Sequence, residues 1–354
     1  MQSRIRLFRF IRFMEAPEKA CHPEMSTMIV VDGLTKSFRV AERARGPLGT
    51  IKGLVRRRYR IVEALKGISF TLREGELLGL IGPNGAGKST TIKILCGILE
   101  PTSGRCEVGG LVPWRERIAH VARIGAVFGQ RTQLWWDLPV IESFELLRDI
   151  YRVAPDRYRK TRDELIALLD LERLLNTPVR QLSLGQRMRC EIAASMLHEP
   201  RVLFLDEPTI GLDAVAKLAV RDFVKTLNRE HGVTVILTTH DMHDVEALAE
   251  RVIVIGKGVM LADGSLASLR RGALAERRLW VHLAGDGDVG NVPGTTVRRR
   301  QGRSVELAFD PRTTSAHQLI AHVAAKFDVE DVHLEEPPIE EVIARFYAQH
   351  SVEA

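Results

Sequence analysis

Short apolar runs recur along the chain, separated by stretches whose apolar residues fall three and four apart. Residues 77–81, 124–128, 202–205 and 233–237 are short, apolar and in part β-branched, the pattern of strands covered on both faces. Helical periodicity starts at Lys88 and returns over residues 214–230. Strand-like and helix-like stretches alternate from Met28 to about Gly264, which predicts an α/β domain with a partly parallel sheet. Residues 141–152 and 157–175 carry Leu and Arg at helical spacing without strand signals, and they predict a helical subdomain over about residues 131–197. The texture changes after Gly264. Alternating runs at 280–283 and 305–309, with helical patterns at 317–327 and 339–349, predict a small α+β domain over residues 265–354. It carries neither a phosphate loop nor metal-ligand spacing, and a packing or dimerisation role is favoured for it over ligand sensing.

The composition, 354 residues of which 45% are hydrophobic and 27% charged, allows two domains and a sizeable core. No apolar run approaches the roughly 18 residues that cross a bilayer. Any transport role therefore requires a separate membrane partner. A net charge of +6 does not by itself select anionic lipid or nucleic acid, and no nucleic-acid partner is expected. Cys21, Cys96, Cys106 and Cys190 lack C-x-x-C spacing, so reduced thiols are expected rather than a zinc site or disulfides. Residues 1–27 read as a disordered extension. Within them Ile5 to Phe13 is too rich in arginine for a signal-peptide core, and the sharper reading is a short basic segment on a membrane surface.

The chemistry concentrates in an ordered series. Gly82, Pro83, Asn84, Gly85, Ala86, Gly87, Lys88 and Ser89, followed by Thr90, match the phosphate loop G-x-x-x-x-G-K-[ST] between a strand and a helix. The glycines let the backbone approach a polyphosphate, so that N–H groups meet the anion at the positive end of the helix. The Lys88 ammonium can reach the outer phosphates, and the Ser89 hydroxyl is placed for Mg²⁺. About a hundred residues later come Leu182, Ser183, Leu184, Gly185 and Gln186, and then Asp206 and Glu207 behind an apolar strand. Ser183 and Gln186 also form an S-x-x-Q capping box for a helix expected over residues 187–197.

Together these motifs resemble the nucleotide-binding subunit of an ABC (ATP-binding cassette) transporter, over about residues 28–264. The resemblance implies a phosphate-loop NTPase fold that binds ATP and Mg²⁺. It implies Asp206 as a Mg²⁺ carboxylate alongside Ser89 and Gln130, Glu207 as general base, and His240 as the switch histidine near the γ-phosphate. Phe38 matches the aromatic that stacks on adenine, and Asp213 the acidic residue at the dimer seam. Residues 182–186 match the signature Leu-Ser-Gly-Gly-Gln with Leu184 in place of the first glycine. Its Ser183, Gly185 and Gln186 close on ATP held by a second subunit. One phosphate loop and one signature per chain imply a homodimer around two ATP molecules.

The stretch from Gln130 to Val140 is distinctive, with Trp135 and Trp136 at its centre. With the insert at residues 41–61, whose Arg56, Arg57, Arg58 and Arg60 are basic, and the ending from Glu335 to Val342, it is similar to ATPases of ABC-2-type exporters of viologens and drugs. The resemblance implies a multispan permease on a separate chain and a peripheral position at the cytoplasmic face of the cell membrane. An importer ATPase and a soluble non-transport ABC ATPase are the alternatives. A DNA-repair ABC ATPase would need long coiled-coil heptads that the motif spacing leaves no room for.

Overall fold

The computed structural model describes residues 26–41, 59–129, 131–272, 276–285, 289–290 and 292–350. The basic N-terminal segment, insert residues 42–58, Cys21 and Gln130 lie outside them. The chain divides after Asp263 into two compact units. Among the described residues no helix is long and apolar enough to cross a membrane.

The first unit opens with β1 (Thr27–Ala41), β2 (Tyr59–Arg73) and β3 (Leu77–Ile81), followed by α1 (Lys88–Leu95), β4 (Ser103–Val108), α2 (Arg117–Val121) and β5 (Ile124–Phe128). Three helices come next, α3 (Val140–Tyr151), α4 (Pro155–Leu169) and α5 (Leu184–Met196). The unit closes with β6 (Val202–Asp206), α6 (Ala214–His231), β7 (Thr234–Thr238), α7 (Met242–Leu248), β8 (Arg251–Gly256) and β9 (Val259–Gly264).

Strands β2, β1 and β4 form a small antiparallel sheet in that order, and the larger sheet runs β5-β6-β7-β3-β8-β9. In the larger sheet β5, β6, β7, β3 and β8 pair parallel. Parallel strands need cover on both faces, which is why these read as unbroken apolar runs. Ile29, Leu34, Leu65 and Leu72 of the small sheet share one buried cluster with Leu78, Phe204, Ile236 and Ile253 of the large sheet and with Ile92 and Leu95 of α1. Lys257 (φ 47°) and Gly258 (φ 84°) both take left-handed conformations, the requirement of a two-residue hairpin turn between β8 and β9.

Two helix boundaries differ from the sequence pattern. The stretch predicted at 157–175 is helical only to Leu169, because Asp170 adopts a left-handed φ of 50° and ends the helix. Leu171 and Leu174 keep the apolar period by packing through turns, so periodicity alone could not reveal the stop. The helix predicted from Arg187 starts at Leu184, since Ser183 is its cap. Cys96, Cys106 and Cys190 are buried free thiols. Burial pushes Cys106 and Cys190 up to about 12 and Cys96 higher still, so all three are held protonated and inert.

The second unit contains α8 (Leu266–Gly272), β10 (Arg277–Leu283), β11 (Thr295–Gln301), β12 (Ser304–Phe309), α9 (Ala316–Lys326), β13 (Val329–Glu335) and α10 (Ile339–Gln349). Its antiparallel sheet runs β11-β12-β10-β13. Leu279, Val281, Val305, Leu307 and Phe309 build the core with Leu319 and Val323 of α9. A cleft of about 560 Å³ in this unit is lined by Arg270, Arg271, Arg277 and Arg312. Glu336 and Asp310 on the same wall accept from Arg270 and Arg312 at 3.1 and 2.6 Å.

Candidate active site

Strand register assembles the site. Phe128 pairs with Asp206, Asp206 with Thr238, and Thr238 with Leu80, so the carboxyl ends of four neighbouring parallel strands lie in one row. Whatever follows these residues emerges along a single edge of the sheet, the usual ligand edge of an open α/β sheet. The residues that follow are Gly129, Glu207, Thr239 with His240, and the loop from Gly82.

The loop is shaped by its glycines. A Cβ on Gly82 would lie 2.3 Å from Ile255 O, and Gly87, at φ 115°, would bring one within 2.8 Å of Ala64 O. Gly87 is the cap residue of α1 and supplies no side-chain hydrogen bond to it. The first N–H groups of that helix therefore remain directed at the loop, where an anion can accept from them. Ala86 N–H donates to Pro83 O at 3.1 Å, and Gly258 N–H donates to Ala86 O at 2.9 Å. The Lys88 side chain is nearly buried, and its ammonium donates to Gly82 O at 2.6 Å and Pro83 O at 3.1 Å. Burial pulls the Lys88 pKa down, while the carboxylates of Glu207 and Asp206 pull it back up. Two backbone carbonyls thus hold the cation inside the curve of the loop.

Asp206 Oδ1 accepts from Ser89 Oγ at 3.1 Å and from Thr238 Oγ1 at 2.5 Å. Glu207, next in sequence, has a φ of 55°, a conformation an L residue adopts only when its surroundings impose it. Its N–H donates to Thr238 O at 3.0 Å and to Thr238 Oγ1 at 3.2 Å. On its other side a Cβ on Gly129 would lie 2.1 Å from Glu207 O. One polar side chain at the end of β7 therefore fixes both carboxylate residues. Glu207 Oε2 is 3.5 Å from His240 Nδ1, and the histidine ring is the more exposed of the two.

The capping box at the head of α5 is formed as the sequence predicts. Gln186 N–H donates to Ser183 Oγ at 3.2 Å, and Ser183 N–H donates to Gln186 Oε1 at 2.9 Å. Leu184 lies directly over Gly211, where an added Cβ would come within 2.8 Å of Leu184 Cδ2. A Cβ on Gly185 would approach Ala216 Cβ to 3.0 Å. The head of α5 thus packs on the segment that leads into α6. Asp213 in that segment caps α6, accepting from Ala216 N–H at 2.8 Å.

The ABC transporter family model matches residues 65–210, from β2 through the phosphate loop, the Ser183 element and Asp206 with Glu207. The daunorubicin resistance ATP-binding protein DrrA3 of Streptomyces coeruleorubidus is 35% identical over 292 residues, 81% of this chain and 92% of that protein. This chain belongs to the ABC transporter family. The linearmycin resistance ATP-binding protein LnrL of Bacillus subtilis (strain 168) is 36% identical over 61% of this chain and 68% of its own length. A methionine import ATP-binding protein, MetN of Geobacillus kaustophilus (strain HTA426), is also among the matches, 36% identical over 59% of this chain and 62% of its own length. A dimeric ATP-binding cassette in a post-hydrolysis state, bound to ADP and Pi, superposes with a TM-score of 0.57 at 28% identity, over 67% of this chain and 98% of that one. The fold is that of an ATP-binding cassette, and its activity is ATP hydrolysis.

Other residues singled out in the sequence sit as follows in the cassette. Phe38 is on β1, half-buried, opposite Val62, with Lys36 Nζ 5.3 Å from its ring centre, so it is not a core phenylalanine. Thr90 lies in the first turn of α1. Trp135 and Trp136 are 38% and 49% exposed, which removes buried packing as their explanation. Sequence reasoning missed Thr238 and Gly129. The signal for Thr238 was a hydroxyl closing an apolar strand, in register with a carboxylate closing another. Gly129→Ala provides a check, because the new methyl cannot coexist with Glu207 O at this spacing. Steady-state ATPase assays are expected to show turnover reduced by about tenfold or more, since displacements near 1 Å at reacting groups carry such losses. Stability is expected to fall as for an overpacked core, by about 1–3 kcal/mol, read as a lower melting temperature.

Proposed function

We propose that the chain is the ATPase subunit that drives a separate multispan membrane permease from the cytoplasmic face of the cell membrane, exporting a drug-like or other small molecule. The observation that carries this reading is the incompleteness of each chain. Ser89, Asp206, Glu207 and His240 gather on one edge of the sheet, and the chain has a single phosphate loop and a single Ser183 element. A complete site of this kind takes a second copy, and the dimeric cassette that this chain resembles supports that arrangement. ATP held by Lys88, the phosphate-loop amides and the Phe38 ring meets Ser183, Gly185 and Gln186 of the other subunit, with Asp213 at the seam. Since ATP touches both subunits only when they are closed, it favours the closed dimer, and hydrolysis removes that preference.

The donors on this edge suit Mg²⁺. Ser89 offers a hydroxyl and Asp206 a carboxylate, both hard oxygens, with Gln130 as a further oxygen donor by sequence. Among the described residues no group of three His, Cys, Asp or Glu side chains forms a metal cage. That accords with an ion held largely by phosphates and water, which when bound would neutralise phosphate charge. The protein's own part is distinct. Glu207 orients the attacking water and accepts its proton, His240 faces the γ-phosphate, and Lys88 leaves its loop carbonyls for the outer phosphates.

Export is supported by the first-named relatives, both ATP-binding proteins of drug or antibiotic resistance. Trp135 and Trp136 are exposed, as are Leu146 and Ile150 of α3 at 38% and 60%, and the two tryptophans are the residues assigned to contact with the permease. Purification from detergent-solubilised membranes tests the reading. A multispan permease without a solute-binding protein is the expected companion, and Trp135→Ala with Trp136→Ala is expected to reduce its recovery by about tenfold, as loss of aromatic anchors does. A solute-binding protein in the complex would favour import, and absence of any membrane partner would contradict the transporter reading.

A further inference from the structure

Glu191 lies about two turns into α5 from the Ser183 cap and is only 3% exposed. Carboxylates in such positions need specific partners. Its partners come from one short segment. Thr132 Oγ1 donates to Glu191 Oε1, and Gln133 N–H donates to Oε2 at 3.1 Å. Gln133 Nε2 also donates to the main-chain oxygen of Glu191 at 2.9 Å, and Leu134 N–H donates back to Thr132 Oγ1 at 3.1 Å. Main chain and side chains of residues 132–134 are thus fastened to a single residue of the helix.

The position of that segment gives the contact its meaning. Upstream lies Gly129, whose N–H donates to Asp206 O at 2.8 Å and which abuts Glu207 O. Downstream, Trp135 N–H donates to Ser143 Oγ of α3 at 3.2 Å, and Trp135 and Trp136 are exposed. We propose that Glu191 is a positioning residue of the ATPase: it locks residues 132–134 to α5, so that the wall of the catalytic row and the Ser183 element shift as one piece. The inference rests on the reading of Ser183 and Gly185 as the surface that meets a second subunit's ATP.

The chemistry separates a positioning role from plain filling of space. Burial raises the Glu191 pKa, against the pull of the Thr132 and loop hydrogen bonds. A glutamine keeps the size of the side chain, its oxygen can still accept from Gln133 N–H, and its amide can donate to Thr132 Oγ1 once that hydroxyl turns to Leu134 O. An alanine removes the acceptor of Gln133 N–H and leaves Thr132 Oγ1 with its contacts to Leu134 alone.

The test uses the full chain and three readouts: deuterium exchange at the Gln133 and Leu134 amides, ATP affinity, and kcat. Glu191→Ala is expected to speed exchange at both amides and lower kcat by about tenfold, while ATP affinity stays within about twofold. Glu191→Gln is expected to behave as wild type in all three. Ile192→Val, a loosened neighbour on the same helix, controls for lost packing and should leave exchange and kcat unchanged. Wild-type kcat in Glu191→Ala, or an equal loss in Ile192→Val, would overturn the proposal. Should Glu191→Ala not fold, Thr132→Val is expected to show the same exchange and kcat changes, and wild-type kcat there would overturn it equally. The exchange readout needs no nucleotide, so a wild-type chain that neither binds nor hydrolyses ATP would contradict the functional reading separately.

Discussion

Glu207→Gln is expected to lower ATP turnover by about 10²–10⁴-fold, the contribution of a positioned general base, with ATP affinity essentially unchanged. The substitution keeps the size of the side chain and both hydrogen bonds of the Glu207 N–H to Thr238, since these are made by the main chain. The left-handed backbone at this residue, held between Thr238 and Gly129, is kept as well. What is lost is the negative charge, and with it the ability to take a proton from water, the pull on Lys88 and the pairing with His240. Lys88 and Ser89, the residues proposed to face the phosphates, keep their side chains and their hydrogen bonds to Gly82 O, Pro83 O and Asp206. The check is kcat against the dissociation constant of a fluorescent ATP analogue. A variant within a few-fold of wild-type turnover would remove Glu207 from the role of base.

Lys88→Met is expected to act on the opposite quantity. ATP affinity should drop by about 10²-fold, the value of one or two charge-assisted hydrogen bonds to phosphate at roughly 1.5–3 kcal/mol each. Stability should not fall with it. The ammonium is nearly buried, its pKa is depressed chiefly by desolvation, and its partners in the protein are two backbone carbonyls. Methionine retains the apolar stem and removes the buried charge, so the melting temperature without nucleotide is expected to stay level or rise. Titration with ATP, followed by thermal unfolding, separates the two effects. A large loss of stability with intact ATP binding would show that Lys88 serves the fold rather than the nucleotide.

Much of this site was legible because its physics is local. A phosphate loop needs glycines at fixed spacing, and the steric contacts of Gly82 and Gly87 show why no other residue fits. Buried parallel strands write themselves as apolar runs, so β3, β5, β6 and β7 could be read directly. The exposed edge strands of the second unit could not. β11 is almost wholly exposed and carries Arg298, Arg299 and Arg300, and β13 mixes Glu and Asp with single apolar residues. Such strands are specified by backbone pairing with β12 and β10, and charge on an edge discourages pairing with other chains. Thr238, Gly129 and Glu191 were hidden for a related reason. Their partners lie 31 or more residues away in sequence, and strand register or helix packing brings them together. Leu184 marks the boundary between the two cases. The motif exposed it as a departure, and only the contact with Gly211 shows that its side chain packs onto the segment leading to Asp213.

The proposed function makes each chain half of a composite ATPase site. Sedimentation equilibrium of the Glu207→Gln chain, which binds ATP without consuming it, tests this most directly. A dimer with saturating ATP and Mg²⁺ that reverts to monomer on nucleotide removal is the predicted result, and a chain that stays monomeric with ATP bound would contradict the account.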